Sequence, residues 1–222
     1  MDLTGGYNRY KKRYIRLKRQ ALSFYIIHAT RSLSAIERIV KEGTLRRGSE
    51  LPEDSREFGA GQSMPYVFGQ MYFTDLRNLE RFIDNTLILD GSITDNYTLY
   101  FNKGWHGYMD ADYVLYKGES MSQKVEELLK IREFLKNPDS IPEKIREFGG
   151  HLVHEVLFEE NLYIKPYLRG ILCYGCNEGQ LLNLKDLLEA NDYGMWEIDF
   201  KTKLVKLKGS LDDFTFSNQD KE

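Results

Sequence analysis

The chain has 222 residues, of which 41% are hydrophobic and 29% are charged, a composition typical of a globular domain rather than of a disordered or fibrous chain. Its 31 Lys and Arg residues nearly balance its 34 Asp and Glu residues, so the formal net charge of -3 excludes a protein that binds polyanions through its overall charge. No apolar run approaches the roughly 20 residues of a membrane span. Because the first residues lack a secretory signal and two cysteines are too few for a disulfide framework, we expect a cytoplasmic protein that does not enter a membrane.

Charge predicts three regions along the chain. Residues 1–20 hold a basic segment, Arg9–Arg19, that contains no acidic residue. Residues 21–208 form the predicted folded domain, and residues 209–222 form a polar, acidic tail. The basic segment either contacts nucleic acid or an acidic partner, with its two tyrosines stacking on bases, or forms a solvated helix.

The first half of the chain is predicted to mix strands with helices. Aromatic and β-branched residues indicate strands, while Ser34 and Glu37 have the spacing of a capping box and Gly43 is a typical helix stop. The predicted elements, in chain order, are a strand at 23–29, a helix at 34–42, a loop at 51–65, a strand at 67–74, a helix at 75–84 and several strands between 86 and 118.

The second half contains the helix with the clearest apolar stripe, at 122–136. It is followed by a short helix from Ser140, strands at 152–158 and 163–174, a helix at 181–190 and a hairpin at 196–207. Strands and helices do not alternate regularly, which favours a single α+β domain over a doubly wound parallel sheet.

Three segments share the residue types, order and spacing of a known set of motifs. The first, from His28 to Arg47, has a His-x-Thr strand end, a helix and a glycine; the second, Val67–Asp75, contains Gly-x-x-Tyr-Phe; the third begins a strand at Glu155. Together they resemble the ADP-ribosyltransferase superfamily, in its diphtheria-toxin-like and poly(ADP-ribose)-polymerase-like branch. The stretch at 70–82 also resembles the DarT-like DNA ADP-ribosyltransferases.

This resemblance implies a fold, a co-substrate and a reaction. The expected fold is a split, mostly antiparallel sheet flanked by helices, and residues 21–208 would be the catalytic domain. The expected reaction cleaves the nicotinamide–ribose bond of NAD and transfers ADP-ribose to a protein or nucleic acid. Val153 stands where arginine-modifying members carry Gln or Glu, so the resemblance does not favour an arginine acceptor.

The resemblance also implies roles for individual residues. The ring nitrogen of the nicotinamide in NAD is already cationic, so nicotinamide departs without protonation and no general acid is needed. A single carboxylate can stabilise the oxocarbenium-like transition state that forms on the ribose. The implied roles are catalysis for Glu155, with His28 and Thr30 at the ribose hydroxyls, Tyr72 and Phe82 against the nicotinamide ring, and Arg77 as a further NAD contact.

Other interpretations remain open at this point. His28 and Tyr72 also fit a hydrogen-bonded core histidine and a core aromatic residue, and Glu155 fits a solvated carboxylate. The same site could transfer ADP-ribose to water, as an NAD glycohydrolase. Alternatively, the protein is a non-catalytic module that binds nucleic acid through Arg9–Arg19.

A C-x-x-C and an H-x-x-H motif admit three interpretations. Cys173 and Cys176 could bind zinc with His151 and His154, because zinc favours tetrahedral thiolate and imidazole ligands. They could also form a redox dithiol. We expect instead two free thiols at a strand end and no metal, because the two histidines would point to opposite faces of a strand.

Overall fold

A computed structural model describes residues 23–30, 32–52, 65–76, 85–103, 111–136 and 154–211. In this part of the chain, one nine-stranded sheet and one two-stranded sheet pack with three α-helices. All observed strand pairs are antiparallel. The prediction of a single α+β domain with a mostly antiparallel sheet is therefore confirmed.

The strands are β1 (Phe24–Thr30), β2 (Thr44–Leu45), β3 (Val67–Phe73), β4 (Asn85–Asp90), β5 (Leu99–Asn102), β6 (Tyr113–Leu115), β7 (Glu155–Phe158), β8 (Leu162–Tyr163), β9 (Leu168–Leu172), β10 (Trp196–Asp199) and β11 (Leu204–Leu207). The helices are α1 (Leu33–Glu42), α2 (Met121–Lys136) and α3 (Glu178–Ala190), and short 3-10 turns span Gly48–Glu50 and Gly91–Asp95. The large sheet has the order β10-β11-β9-β4-β1-β3-β7-β5-β6, and β2 pairs with β8.

Local sequence explains where α1 begins and ends. The N-cap is Ser32 rather than the predicted Ser34, because its hydroxyl accepts the otherwise unpaired N–H of Ala35 at 3.1 Å. The predicted stop at Gly43 is confirmed: its φ of 67° is a left-handed conformation, and its N–H donates to Ile39 O.

All three helices cover one face of the large sheet. Their buried side chains belong to the same hydrophobic cluster as alternate strand residues such as Ile26, Met71 and Val156. The other face carries a smaller cluster that includes Ile27, Tyr72 and Leu172, and none of the described helices packs on it. We call it the helix-free face.

Among the described residues there is no helix with the length and apolar composition needed to cross a membrane. Residues 77–84 of the predicted helix at 75–84, the predicted helix from Ser140 and most of the predicted loop at 51–65 lie outside the described residues.

Candidate active site at the split in the sheet

The candidate site lies where β3 changes its partner strand. Residues 70–73 of β3 pair with β1, whereas residues 67–69 pair with β7. Because β1 and β7 are both antiparallel to β3, they run parallel to each other on its two sides. From His28 onward β1 no longer pairs with β3, while it continues to pair with β4, which leaves a gap in the backbone hydrogen bonding between β1 and β3. We call this gap the split.

The side chain of His28 reaches across the split. Its Nδ1 lies 2.8 Å from the carbonyl oxygen of Phe68 on β3. If β1 and β3 continued to pair, Phe68 would lie opposite Ala29. The imidazole of His28 therefore donates to a carbonyl oxygen that a backbone N–H of β1 would have bonded in a continued ladder. Because a carbonyl oxygen only accepts, Nδ1 of His28 carries a proton in this contact.

The rim of the split is accessible from solvent. Ala29 is exposed, and His28, Gly69 and Gln70 are partly exposed. Gly69 also permits a close approach of the two strands, since a Cβ at this position would lie 3.0 Å from Ile27 O. Packing against β1 therefore explains why a glycine occupies the first position of the Gly-x-x-Tyr-Phe motif.

Glu155 lies on the other side of β3, at the start of β7. Its side chain is 2% exposed, and its Oε2 accepts a hydrogen bond of 3.2 Å from Nδ2 of Asn102, which is fully buried. The two residues are cross-strand partners on β7 and β5. Strand alternation places Glu155 on the helix-free face, because Val156 belongs to the helix-covered cluster.

His28 and Glu155 flank β3 at neighbouring levels of the sheet. The register pairs Ile27 with Gln70 and Val156 with Gly69, so the two residues lie beside the point where β3 changes partner. Two strand spacings separate their backbones, about 10 Å. By strand alternation, however, His28 lies on the helix-covered face, as Ile26 does, whereas Glu155 lies on the helix-free face, so the two side chains start from opposite faces of the sheet.

Tyr72 and Thr30 are both buried, on opposite faces of the sheet. Tyr72 is 1% exposed and packs in the smaller cluster. It therefore lies on the helix-free face, the same face as Glu155. Thr30 is 5% exposed and, two residues beyond His28, belongs by alternation to the helix-covered face. Stacking of a nicotinamide ring on Tyr72 therefore requires that the smaller cluster opens.

The remaining predicted contacts lie outside the described residues. These are Phe82, Arg77, the basic segment Arg9–Arg19 and His151.

His154 has a structural role that the sequence interpretation missed. It is buried, with 5% of its surface exposed. Its Nε2 lies 2.8 Å from Met71 N and 3.0 Å from Met71 O, and its ring stacks on Phe101 at 5.4 Å between centroids. Burial lowers the pKa of His154 from 6.5 to about 4, so the ring is neutral at pH 7 and accepts the N–H of Met71. His154 thus bridges β3 and β7 beyond the end of their ladder, as His28 does for β3 and β1. The only feature of the sequence that could have indicated this role is the position of His154 directly before an apolar strand.

The prediction of two free thiols is wrong, because Cys173 and Cys176 form a disulfide. A turn in which the Cys176 N–H donates to Cys173 O at 3.1 Å brings their Cα atoms to 5.4 Å, inside the usual range for a disulfide. Neither sulfur is then available to the zinc site considered above. Within the described ranges, no group of three or more His, Cys, Asp or Glu side chains could hold a metal ion.

Comparisons with known proteins identify relatives of this chain. Residues 21–138 match the family described as a family of unknown function, DUF5846, a span that includes His28 and Tyr72. Uncharacterized protein R11 of Acanthamoeba polyphaga mimivirus is 36% identical over 177 residues, which cover 77% of this chain. The chain spans less than two thirds of that relative, since the match covers 65% of its length. No solved structure matches the chain.

Proposed function

Since the chain belongs to DUF5846, a family of unknown function, its activity has to be inferred from its own residues, and we propose that it is an NAD-dependent ADP-ribosyltransferase. The reaction cleaves the bond between nicotinamide and ribose and transfers ADP-ribose to a macromolecular acceptor, protein or nucleic acid. NAD is a substrate of this reaction.

One observation carries the proposal: a buried carboxylate, Glu155, stands beside the point where β3 changes partner. Burying a carboxylate costs free energy unless it is hydrogen-bonded or paired. Asn102 donates a hydrogen bond of 3.2 Å to the carboxylate of Glu155, which offsets part of this cost. A carboxylate in such low-dielectric surroundings interacts strongly with a positive charge that develops next to it.

Because of the nature of the leaving group, one carboxylate is sufficient to catalyse the cleavage. Nicotinamide leaves NAD as a neutral molecule because its ring nitrogen is already cationic, so positive charge accumulates on the ribose. Glu155 would stabilise that charge, as the carboxylates of glycosidases do at their oxocarbenium-like transition states. No general acid is required.

His28 supports the proposal through its orientation. The hydrogen bond from Nδ1 to Phe68 O fixes the orientation of the ring in the split, and the second ring nitrogen, Nε2, would be the atom that contacts a ribose hydroxyl. Tyr72 and Thr30 would complete the site in the roles that the family resemblance implies, with Tyr72 becoming accessible only when the smaller cluster opens.

The test is nicotinamide release from NAD by the purified protein and by Glu155→Gln. This substitution preserves size and hydrogen bonding but removes the charge. Glu160→Gln is the matched control, because Glu160 lies close by after β7 but is exposed and pairs with Lys117 at the surface. Thermal unfolding of each variant shows whether the fold is intact.

We expect Glu155→Gln to lose release by two orders of magnitude or more while Glu160→Gln stays near the wild type. Labelled NAD then separates the two reactions: covalent label on protein or nucleic acid identifies a transferase, and free ADP-ribose identifies an NAD glycohydrolase. The proposal fails if the wild type neither releases nicotinamide nor gains thermal stability from NAD.

A further inference from the structure

The Cys173–Cys176 disulfide occupies a particular place in the fold. Cys173 directly follows β9, and Cys176 precedes Asn177, the N-cap of α3. Both cysteines are buried, at 1% and 2% exposure. Between them, Tyr174 and Gly175 form an exposed turn, and Tyr174 is 45% exposed. Both cysteines therefore belong to the core cluster under the helices, while the two residues between them face solvent.

Lys203 contacts both cysteines from the loop between β10 and β11. Its carbonyl oxygen accepts the N–H of Cys173 at 3.0 Å, and its ammonium group donates to the carbonyl oxygen of Cys176. A positive charge is thus fixed beside the residue that leads into α3. The N-terminus of the helix adds partial positive charge from its unpaired N–H groups.

These surroundings affect the reduced form of the pair. A nearby ammonium group and a helix N-terminus favour a thiolate over a thiol, whereas apolar burial and the carboxylate of Glu178 in the first helical turn oppose it. The ammonium group of Lys203 donates directly to the carbonyl oxygen of Cys176, whereas Glu178 is exposed, so we expect the cation to have the larger effect at Cys176. A stabilised thiolate makes a disulfide easier to reduce.

The four-residue loop closed by the disulfide also argues against a purely structural role. The stabilisation from a disulfide grows with the length of the loop it closes, and this loop is among the shortest possible. The turn is already held by the Cys176 N–H bond to Cys173 O, so the covalent bond adds little constraint.

We propose that Cys173 and Cys176 form a reversible redox centre that exchanges with small thiols of the glutathione type. A glutathione thiolate attacks Sγ of Cys173, forms a mixed disulfide and releases Cys176 as a thiolate. A second glutathione thiolate then attacks the glutathione sulfur of the mixed disulfide and releases Cys173. Two electrons pass from two glutathione molecules to the protein disulfide, solvent supplies the protons of the product thiols, and glutathione disulfide is formed. This inference is independent of the proposed function.

The experiment equilibrates the native full-length chain in buffers that span a wide range of reduced to oxidised glutathione. Alkylation followed by mass spectrometry measures the reduced fraction. Lys203→Gln removes the fixed charge, Lys203→Arg retains it, and Lys201→Gln is the matched control because Lys201 lies exposed in the same loop. Circular dichroism verifies that each variant is folded.

We expect the wild type to be half-reduced within this range and to reoxidise when the ratio is reversed. Lys203→Gln should require at least a threefold higher ratio of squared reduced glutathione to oxidised glutathione, while Lys203→Arg and Lys201→Gln stay within twofold of the wild type. The proposal is overturned if the disulfide persists at every ratio until the protein unfolds, if the thiols never oxidise, or if Lys203→Gln and Lys201→Gln titrate alike.

Discussion

Because His154 is buried, we expect the free energy of unfolding to depend on pH between about 4 and 6.5. The folded state holds its pKa at about 4, against an ordinary value of 6.5, because burial disfavours the imidazolium. Between these values the unfolded chain binds the proton that the folded chain rejects. Stability is therefore complete above pH 6.5 and is lost as the pH falls towards 4.

The size of this effect follows from the shift. A difference of about 2.5 pKa units corresponds to about 3 kcal/mol of unfolding free energy, at roughly 1.4 kcal/mol per unit. Because stabilities of small domains are about 5–15 kcal/mol, such a loss is readily measured. Carboxylates also titrate in this range, so the contribution of His154 has to be isolated by substitution.

The assay is urea unfolding of the wild type and of His154→Phe at several pH values between 4 and 7.5. Phenylalanine keeps the ring that stacks on Phe101 but cannot accept the N–H of Met71 or take up a proton. We expect the wild type to be the more stable protein at pH 7.5, by about 1–3 kcal/mol for the buried hydrogen bond. Its advantage should decrease by about 3 kcal/mol towards pH 4, which removes it or reverses its sign. A stability difference that stays constant with pH would refute the assigned protonation state.

Three further substitutions test contacts elsewhere in the fold, each by urea unfolding at pH 7. Gly69→Ala should cost about 1–3 kcal/mol, because its Cβ would lie 3.0 Å from Ile27 O and β1 would have to move; an unchanged stability would mean that the strands have room. Lys124→Met should cost about 1–3 kcal/mol, since it removes the buried ammonium that donates to Thr94 O at 2.7 Å, and a neutral result would show that the carbonyl finds another donor. Asn177→Ala should cost about 1 kcal/mol by removing the N-cap of α3, and no loss would indicate that water replaces the cap.

The fold was predictable where local sequence decides it. β1, α1, α2 and the β10–β11 hairpin lie within one or two residues of their predicted bounds because apolar periodicity and turn residues specify them directly. The start of α3 was predicted three residues late, since its first turn is polar and its capping box, Asn177 with Gln180, precedes the apolar residues. The predicted strand at 163–174 is two strands, because Ile164 to Tyr167 form a turn around Pro166.

The partner exchange of β3 was not predictable, because strand register is set by pairing between distant parts of the chain. Sequence order and spacing suggested His28 and Glu155, but not that they flank one strand or that Asn102 holds the carboxylate. The split also gives His28 two tasks, since the bond to Phe68 O that fixes the ring is the bond that closes the gap between strands. Loss of activity in a His28 variant would therefore not separate catalysis from folding. Glu155 can lose its charge without losing its shape, which makes it the residue on which the proposed chemistry can be decided.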